Sequence, residues 1–234
     1  MIATLRATWR VAMAAPRFRV LAWTALPAVV GTLLVFRRFL DFVETRPGPV
    51  LDDPVLRLIP PHDVAMVVFS VLHVSIIGGL LSLVPHPHRL VGGLWGYVLL
   101  TVSRAAAMFL LPLDPPPTLL PMRDPFVELF GAHGVLTRDL FFSGHTATVV
   151  LVALAMPTPR RRALVMAGAV VIGVAVLFQH AHYTIDVLAA PFFAYPCFRA
   201  GIGLARRVDG VQHRTADAPS LDHESRSPRS SPGP

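Results

Sequence analysis

Residues 163–204 read ALVMAGAVVIGVAVLFQHAHYTIDVLAAPFFAYPCFRAGIGL, two apolar runs separated by the polar stretch QHAHYT. Each run comes close to the roughly 20 residues that a helix needs to cross a hydrocarbon core. A pair of spanning helices is predicted, one at 163–178 and one from about 184 to 204, with the joint between them at a membrane face.

The rest of the 234-residue chain has the same character. Mean hydropathy is +0.58 and only 15% of residues are charged, too few for a soluble domain of this size to cover itself with polar surface. Further apolar runs lie at 20–36, 64–84, 90–113 and 141–156. The first contains Pro27, which neighbouring helices can accommodate, and stops at Arg37 and Arg38. Residues 39–62 have the Pro-rich, charged composition of a loop, HPHR at 86–89 reads as a turn, and DPPPTLLPMRDP from 114 breaks any helix. PTPRRR closes the run at 141–156. The expectation is an all-α, polytopic membrane protein with a six-helix bundle.

Three regions follow. Residues 1–19 form a basic interfacial lead-in with Trp9 and Phe18, residues 20–205 the membrane domain, and residues 206–234 a Ser/Pro/Arg tail with the composition of a disordered segment. No small-residue cleavage pattern follows the first run, so it reads as a retained anchor. All 21 basic residues are arginine, clustered at the ends of apolar runs, which argues against nucleic-acid binding. Cys197 is the only cysteine, which excludes an intrachain disulfide and a cysteine-based zinc cluster.

Six spans put both termini on one side. The larger arginine set (the N-terminal arginines, Arg89, Arg160 to Arg162 and those of the tail) marks that side as cytoplasmic, with Arg37, Arg38, Arg46, Arg57, Arg123 and Arg138 opposite. The loop before the fourth span and the joint before the sixth then face outward. The Lys-free, Ala/Arg/Pro-rich composition suggests a GC-rich genome, and hence a bacterial inner (plasma) membrane.

Chemistry concentrates at that face. In HYTID, His182 and Asp186 are one helical turn apart and share a face if the last span begins there. A carboxylate so placed fixes the imidazole tautomer and primes the other nitrogen to attack phosphorus, giving a phosphohistidine. A polar pair that glues helices together is the structural alternative. The second element is SGHT at 143–146, at the start of the fourth span, where unpaired backbone N–H groups favour an anion. Gly144 lets the backbone approach a phosphate, Ser143 can donate to it, and His145 can protonate a departing oxygen. A plain N-cap is the alternative there. Together the two elements would bring two histidines to opposite sides of one phosphorus, as in-line displacement demands.

DLFFSGHT at 139–146 followed by HAHYTIDV at 180–187 resembles the sphingomyelin synthase family, which is related to the type 2 phosphatidic acid phosphatase superfamily. The resemblance covers about residues 104–190. It implies a six-span bundle that moves a phospho-headgroup between lipids with no metal or other cofactor. His182 would be the nucleophile, Asp186 its orienting carboxylate and His145 the acid and later base. Asp139 matches an acidic position of the family's DxxFSGHT pattern and would tune the site. The KxxxxxxRP element of the broader superfamily is missing, as is an Arg ahead of His182, which favours the synthase branch over a plain lipid phosphatase.

Arg104 lies within the third span, where a guanidinium must be paired or face water, and it suits a phosphate contact as well as a snorkelling or ion-paired role. His180 and His133 read better as structural or solvated residues, and His86 and His88 as loop residues. Phe126, Phe130, Phe141 and Phe142 read as packing or an interfacial belt. The implied partners are a membrane phospholipid donor and a lipid alcohol acceptor of the ceramide or diacylglycerol type. With water as acceptor the same residues make a lipid phosphatase or phospholipase C. A transporter or scaffold with these residues lining a polar channel is the non-catalytic reading. No oligomeric state is implied.

Overall fold

The computed structural model describes residues 2–122 and 136–206. Arg123, Phe126, Phe130, His133 and the tail expected to be disordered lie outside these residues. Among the described residues all regular structure is helical: α1 (Ile2–Ala14), α2 (Pro16–Glu44), α3 (Pro54–Leu58), α4 (Ala65–Leu83), α5 (Pro87–Leu110), α6 (Gly144–Ala155), α7 (Pro159–Phe178) and α8 (Thr184–Arg206). Five of them, α2, α4, α5, α7 and α8, are long and apolar enough to cross a membrane. The chain is a polytopic membrane protein by that measure.

The expected fourth span, 141–156, is the exception. Its helix α6 has only 12 residues, about 18 Å of rise. Thr146, Ala147, Val149, Val150, Leu151, Ala153 and Ala155 are all buried, packed among α4, α5, α7 and α8. Lipid does not dictate the length of a helix that other helices enclose.

Several boundaries differ from expectation for local reasons. Helix α2 runs through Arg37 and Arg38 to Glu44, because charge marks an interface without ending a helix, and Arg37 pairs with Asp41 one turn on at 3.3 Å. Within the expected loop at 39–62, Asp53 accepts from the Val55 and Leu56 amides and caps α3. Pro87 and Pro159 start α5 and α7 earlier than the apolar runs suggest, since proline suits the first helical position. Arg89 and Arg160 to Arg162 therefore belong to first turns.

Helices α5 and α8 make the central contact. A Cβ on Gly96 would meet the Cys197 carbonyl at 3.2 Å, and one on Gly201 would strike the Gly92 carbonyl and the Gly96 backbone. The GxxxG spacing of Gly92 and Gly96 thus meets the small face of Cys197, Gly201 and Ala205, and the backbones touch. This contact carries the C-terminal end of α5 alongside the N-terminal end of α8. Helix α1 packs beside the α4–α5 turn, with Trp9 Nε1 donating to the Val84 carbonyl at 2.7 Å.

The two ends of the bundle differ in charge. Every acidic residue among the described ones (Asp41, Glu44, Asp52, Asp53, Asp63, Asp114, Asp139 and Asp186) lies at the end where α2, α5 and α7 finish and α8 starts. The opposite end is rich in arginine.

Candidate active site

Three chain segments meet at the acidic end: the last turns of α5, residues 138–146 leading into α6, and residues 180–186 leading into α8. A hydrogen bond of 3.1 Å from the Ser143 amide to the Asp186 carbonyl joins the second to the third. Phe142 adds an apolar clamp, stacking on Phe193 of α8 with ring centres 4.2 Å apart.

Helix α6 begins as its sequence dictates. Ser143 is its N-cap, with Oγ accepting from the Thr146 amide and lying 3.1 Å from the Thr146 hydroxyl. The plain-cap role of Ser143 is therefore present in the geometry. Gly144 follows, and a Cβ there would collide with the Arg104 guanidinium. Arg104 in turn donates from Nε to the Phe142 carbonyl at 2.9 Å and from Nη2 to Asp139 Oδ1 at 2.7 Å. Both partners of this ion pair are largely shielded from solvent, so its fork geometry holds the DLFFSG turn in one shape.

His182 and Asp186 are 2% and 0% exposed. His182 Nδ1 stands 3.5 Å from Asp186 Oδ2, an ion-pair distance longer than a good hydrogen bond. The last helix begins at Thr184, so His182 lies just ahead of it and not on its face as expected. Asp186 Oδ2 also accepts from the Tyr183 amide at 2.9 Å, which holds the carboxylate in the first turn toward the imidazole. His145 lies across from His182, with ring centres 6.2 Å apart and planes inclined by 67°. His145 Nδ1, His182 Nδ1 and Asp186 Oδ1 are buried without a hydrogen-bond partner among the described residues. Buried polar atoms in this state are rare and cluster where a ligand or a reaction completes them.

All seven residues singled out in the sequence (Arg104, Asp139, Ser143, Gly144, His145, His182 and Asp186) thus fall in one connected cluster. Other features of the sequence did not draw attention to the residues that hold it. Glu44, at the end of α2, accepts from the Thr137 amide and hydroxyl and from the Arg138 amide at 2.7–2.9 Å. Arg138 reaches Asp114 Oδ1 at 2.6 Å, and this ion pair holds the Asp114 carboxyl below its ordinary range. Asp53 accepts from the Thr184 amide at 2.6 Å and hydroxyl at 3.0 Å and so caps α8 as well as α3. Partial burial pushes the Asp53 carboxyl up, but the bonds from Thr184, Leu56 and Val55 outweigh it and the net shift is downward. These are long-range pairings of loop residues, with no periodic signal.

His73 on α4 also escaped attention. It lies near His145, and its Nδ1 donates to the Phe69 carbonyl at 2.7 Å. An isolated ionisable residue in an apolar helix is the signal that could have found it.

His180 stands apart from the pair. Its ring bonds the Thr118 hydroxyl through Nδ1 and donates from Nε2 to the Ile59 carbonyl at 3.1 Å. Its φ of 53° turns the chain sharply between α7 and α8. Gln179 beside it is fully buried, accepting from the Val64 amide at 2.6 Å and donating to the Leu120 carbonyl at 3.2 Å. Together they stitch the loops at this end to the α7–α8 joint. Among the described residues no three His, Cys, Asp or Glu side chains form a metal-binding group.

Residues 138–201 match a protein-family model described as PAP2 superfamily C-terminal. The matched stretch holds six of the seven clustered residues and ends on the small-residue face of α8. It supports a relation to the type 2 phosphatidic acid phosphatase superfamily and a lipid phosphatase or phosphotransferase class of function. A search of the curated proteins finds no match.

Proposed function

We propose that the protein is a membrane lipid headgroup phosphotransferase of the sphingomyelin synthase type, with residues 104–190 as its catalytic core. The observation that carries this reading is the pair of imidazoles 6.2 Å apart, one of them set against a carboxylate, with buried polar atoms unpaired on all three side chains. A tetrahedral phosphate between the rings would touch both.

In the first step the His182 nitrogen remote from Asp186 gives its electron pair to phosphorus, and the bond from phosphorus to the lipid oxygen breaks. His145 delivers a proton to that oxygen, releasing the lipid alcohol and leaving a phosphohistidine that carries the headgroup. In the second step an acceptor lipid hydroxyl gives its proton to His145 and attacks phosphorus, and the N–P bond breaks. Asp186 stabilises the positive charge that develops on the His182 ring. The Arg104 guanidinium over Gly144 and the Gly144 and His145 amides at the start of α6 face the phosphate oxygens, while Asp139 positions Arg104.

Water in place of the lipid alcohol makes the same site a phosphatase or phospholipase C, a second reading that the family match supports. Helix α6 completes a six-segment bundle in which both termini share the arginine-rich, cytoplasmic side and the site faces outward. A bacterial inner membrane suits that arrangement.

The deciding experiment incubates purified protein and its His182→Ala variant with headgroup-labelled phospholipid, with and without ceramide or diacylglycerol. Label appearing in a new lipid only with acceptor present supports transfer, and label in water-soluble product supports hydrolysis. Equal turnover by the variant, or none by the wild type across a broad lipid panel, leaves only the transporter or scaffold reading.

A further inference from the structure

At the end of the bundle remote from the paired histidines, four arginines converge on one cavity of about 400 Å³. Arg89 comes from the first turn of α5, Arg162 from the first turn of α7, and Arg199 and Arg206 from the last turns of α8. Two are anchored by backbone. Arg89 Nη1 donates to the Ala155 and Met156 carbonyls at 3.1 and 3.0 Å, capping the end of α6, and Arg162 Nη2 reaches the Leu154 carbonyl at 3.5 Å. Arg162 and Arg206 stand close enough to Arg89 for mutual repulsion. No acidic residue among the described ones lies at this end to offset them.

Like charges gathered around a cavity are unfavourable unless an anion enters, and guanidinium forks suit phosphate oxygens. The rest of the wall is apolar apart from the Tyr195 hydroxyl, which accepts from Arg199 Nη1 at 3.5 Å. Tyr195 and Phe198 line it, and Tyr195 continues outward into an exposed stripe of α8 with Phe192 and Leu188. An acyl chain can follow that stripe toward the middle of the bundle. The volume is in the range of small-ligand sites, and basic pockets between membrane helices suit anionic headgroups.

We infer that this cavity is a binding site for the phosphodiester headgroup of an anionic glycerophospholipid in the leaflet opposite the paired histidines. Between Arg89 and Arg104 helix α5 rises by about 22 Å, so one lipid cannot occupy both places. The inference does not depend on the reaction proposed above. Arg160 and Arg161, exposed on the first turn of α7 and outside the cavity, separate this site from general attraction of the basic face.

The test uses the full chain in mixed micelles of phosphatidylcholine, titrated with phosphatidylglycerol and read by thermal midpoint. A saturable rise is expected with phosphatidylglycerol, and the Arg199→Gln/Arg206→Gln variant should weaken half-saturation about tenfold or more, while Arg160→Gln/Arg161→Gln changes it less than about twofold. Native mass spectrometry of the wild type should retain a phosphatidylglycerol molecule against exchange with phosphatidylcholine, which does not rely on any variant folding. Equal weakening in both double variants, no retained anionic lipid, or equal protection by phosphatidylcholine overturns the inference. So does equal protection by inorganic phosphate, which would mark a soluble-anion site, or arginine-dependent protection without added anionic lipid, which would point to the acidic residues of the chain's own tail.

Discussion

The amide of Ser143 donates to the carbonyl of Asp186 at 3.1 Å. This bond ties the residue that caps α6 to the residue whose carboxylate faces His182 at 3.5 Å, and the two lie 43 positions apart in the chain, from 143 to 186. The separation of the two imidazoles is set by backbone at this point, so small changes in either segment move both.

Replacing His182 by alanine is expected to lower turnover by about a thousandfold or more, and His145→Ala by a comparable amount, since in the proposed reaction both steps pass through each ring. Steady-state lipid turnover by purified variants measures it. The double variant should lose little beyond either single one, because the two act as a unit.

Asp186→Asn keeps the shape but removes the charge. A loss of about 10³ to 10⁴ in kcat is expected, with KM changed far less, because in the proposed reaction the carboxylate acts through His182 and does not touch the lipid. The Tyr183 amide can still bond the Asn oxygen, so the thermal midpoint should change little by comparison. A variant that unfolds while its residual folded fraction retains wild-type kcat would contradict this role.

Gly144→Ala puts a methyl group where the Arg104 guanidinium lies. The displaced Arg104 must loosen its bonds to Asp139 and the Phe142 carbonyl, at a cost of roughly 1–3 kcal/mol and at least tenfold in turnover. In an Arg104→Ala background the same substitution should cost much less, and a double-mutant cycle reads the difference.

Gln179→Leu leaves the Val64 amide and the Leu120 carbonyl without the partners they have now. Stability should fall by about 2 kcal/mol, seen as a lower thermal midpoint, with proteolysis first reaching the loops on that face.

Asp53 supplies a pH test. Its carboxyl in the folded protein lies below the ordinary carboxylate value of about 4. Because the folded value is depressed, its contribution is fully present above that ordinary value and is lost as pH falls through the lower folded one. Wild type should therefore exceed Asp53→Asn in thermal midpoint at neutral pH, and the difference should shrink as the pH drops below about 4. A difference that grows on acidification would contradict this account of the cap.

Apolar runs are local, and they were enough to locate the five long helices, because exclusion from water acts on each segment by itself. The motifs SGHT and HYTID were legible for a related reason. Capping and the nearness of His182, just ahead of α8, to Asp186 in its first turn are properties of a single helix start. Phe142 was read as packing, and its stack on Phe193 agrees with that. Charge alone misled at Arg37 and Arg38, where the helix continues to Glu44.

What only the tertiary structure decided is how these local pieces meet. Helix α6 can be shorter than a membrane crossing because its neighbours enclose it, a condition that no window of its own residues records. Arg104 finds Asp139, Glu44 finds Arg138, and Asp53 finds Thr184 across loops whose composition shows only polarity. The convergence of four arginines at the far end likewise depends on packing α5, α7 and α8 together. Hydropathy and capping are written residue by residue. Pairing across the bundle is written by the close approach of Gly92, Gly96 and Gly201, which is settled only when the helices touch.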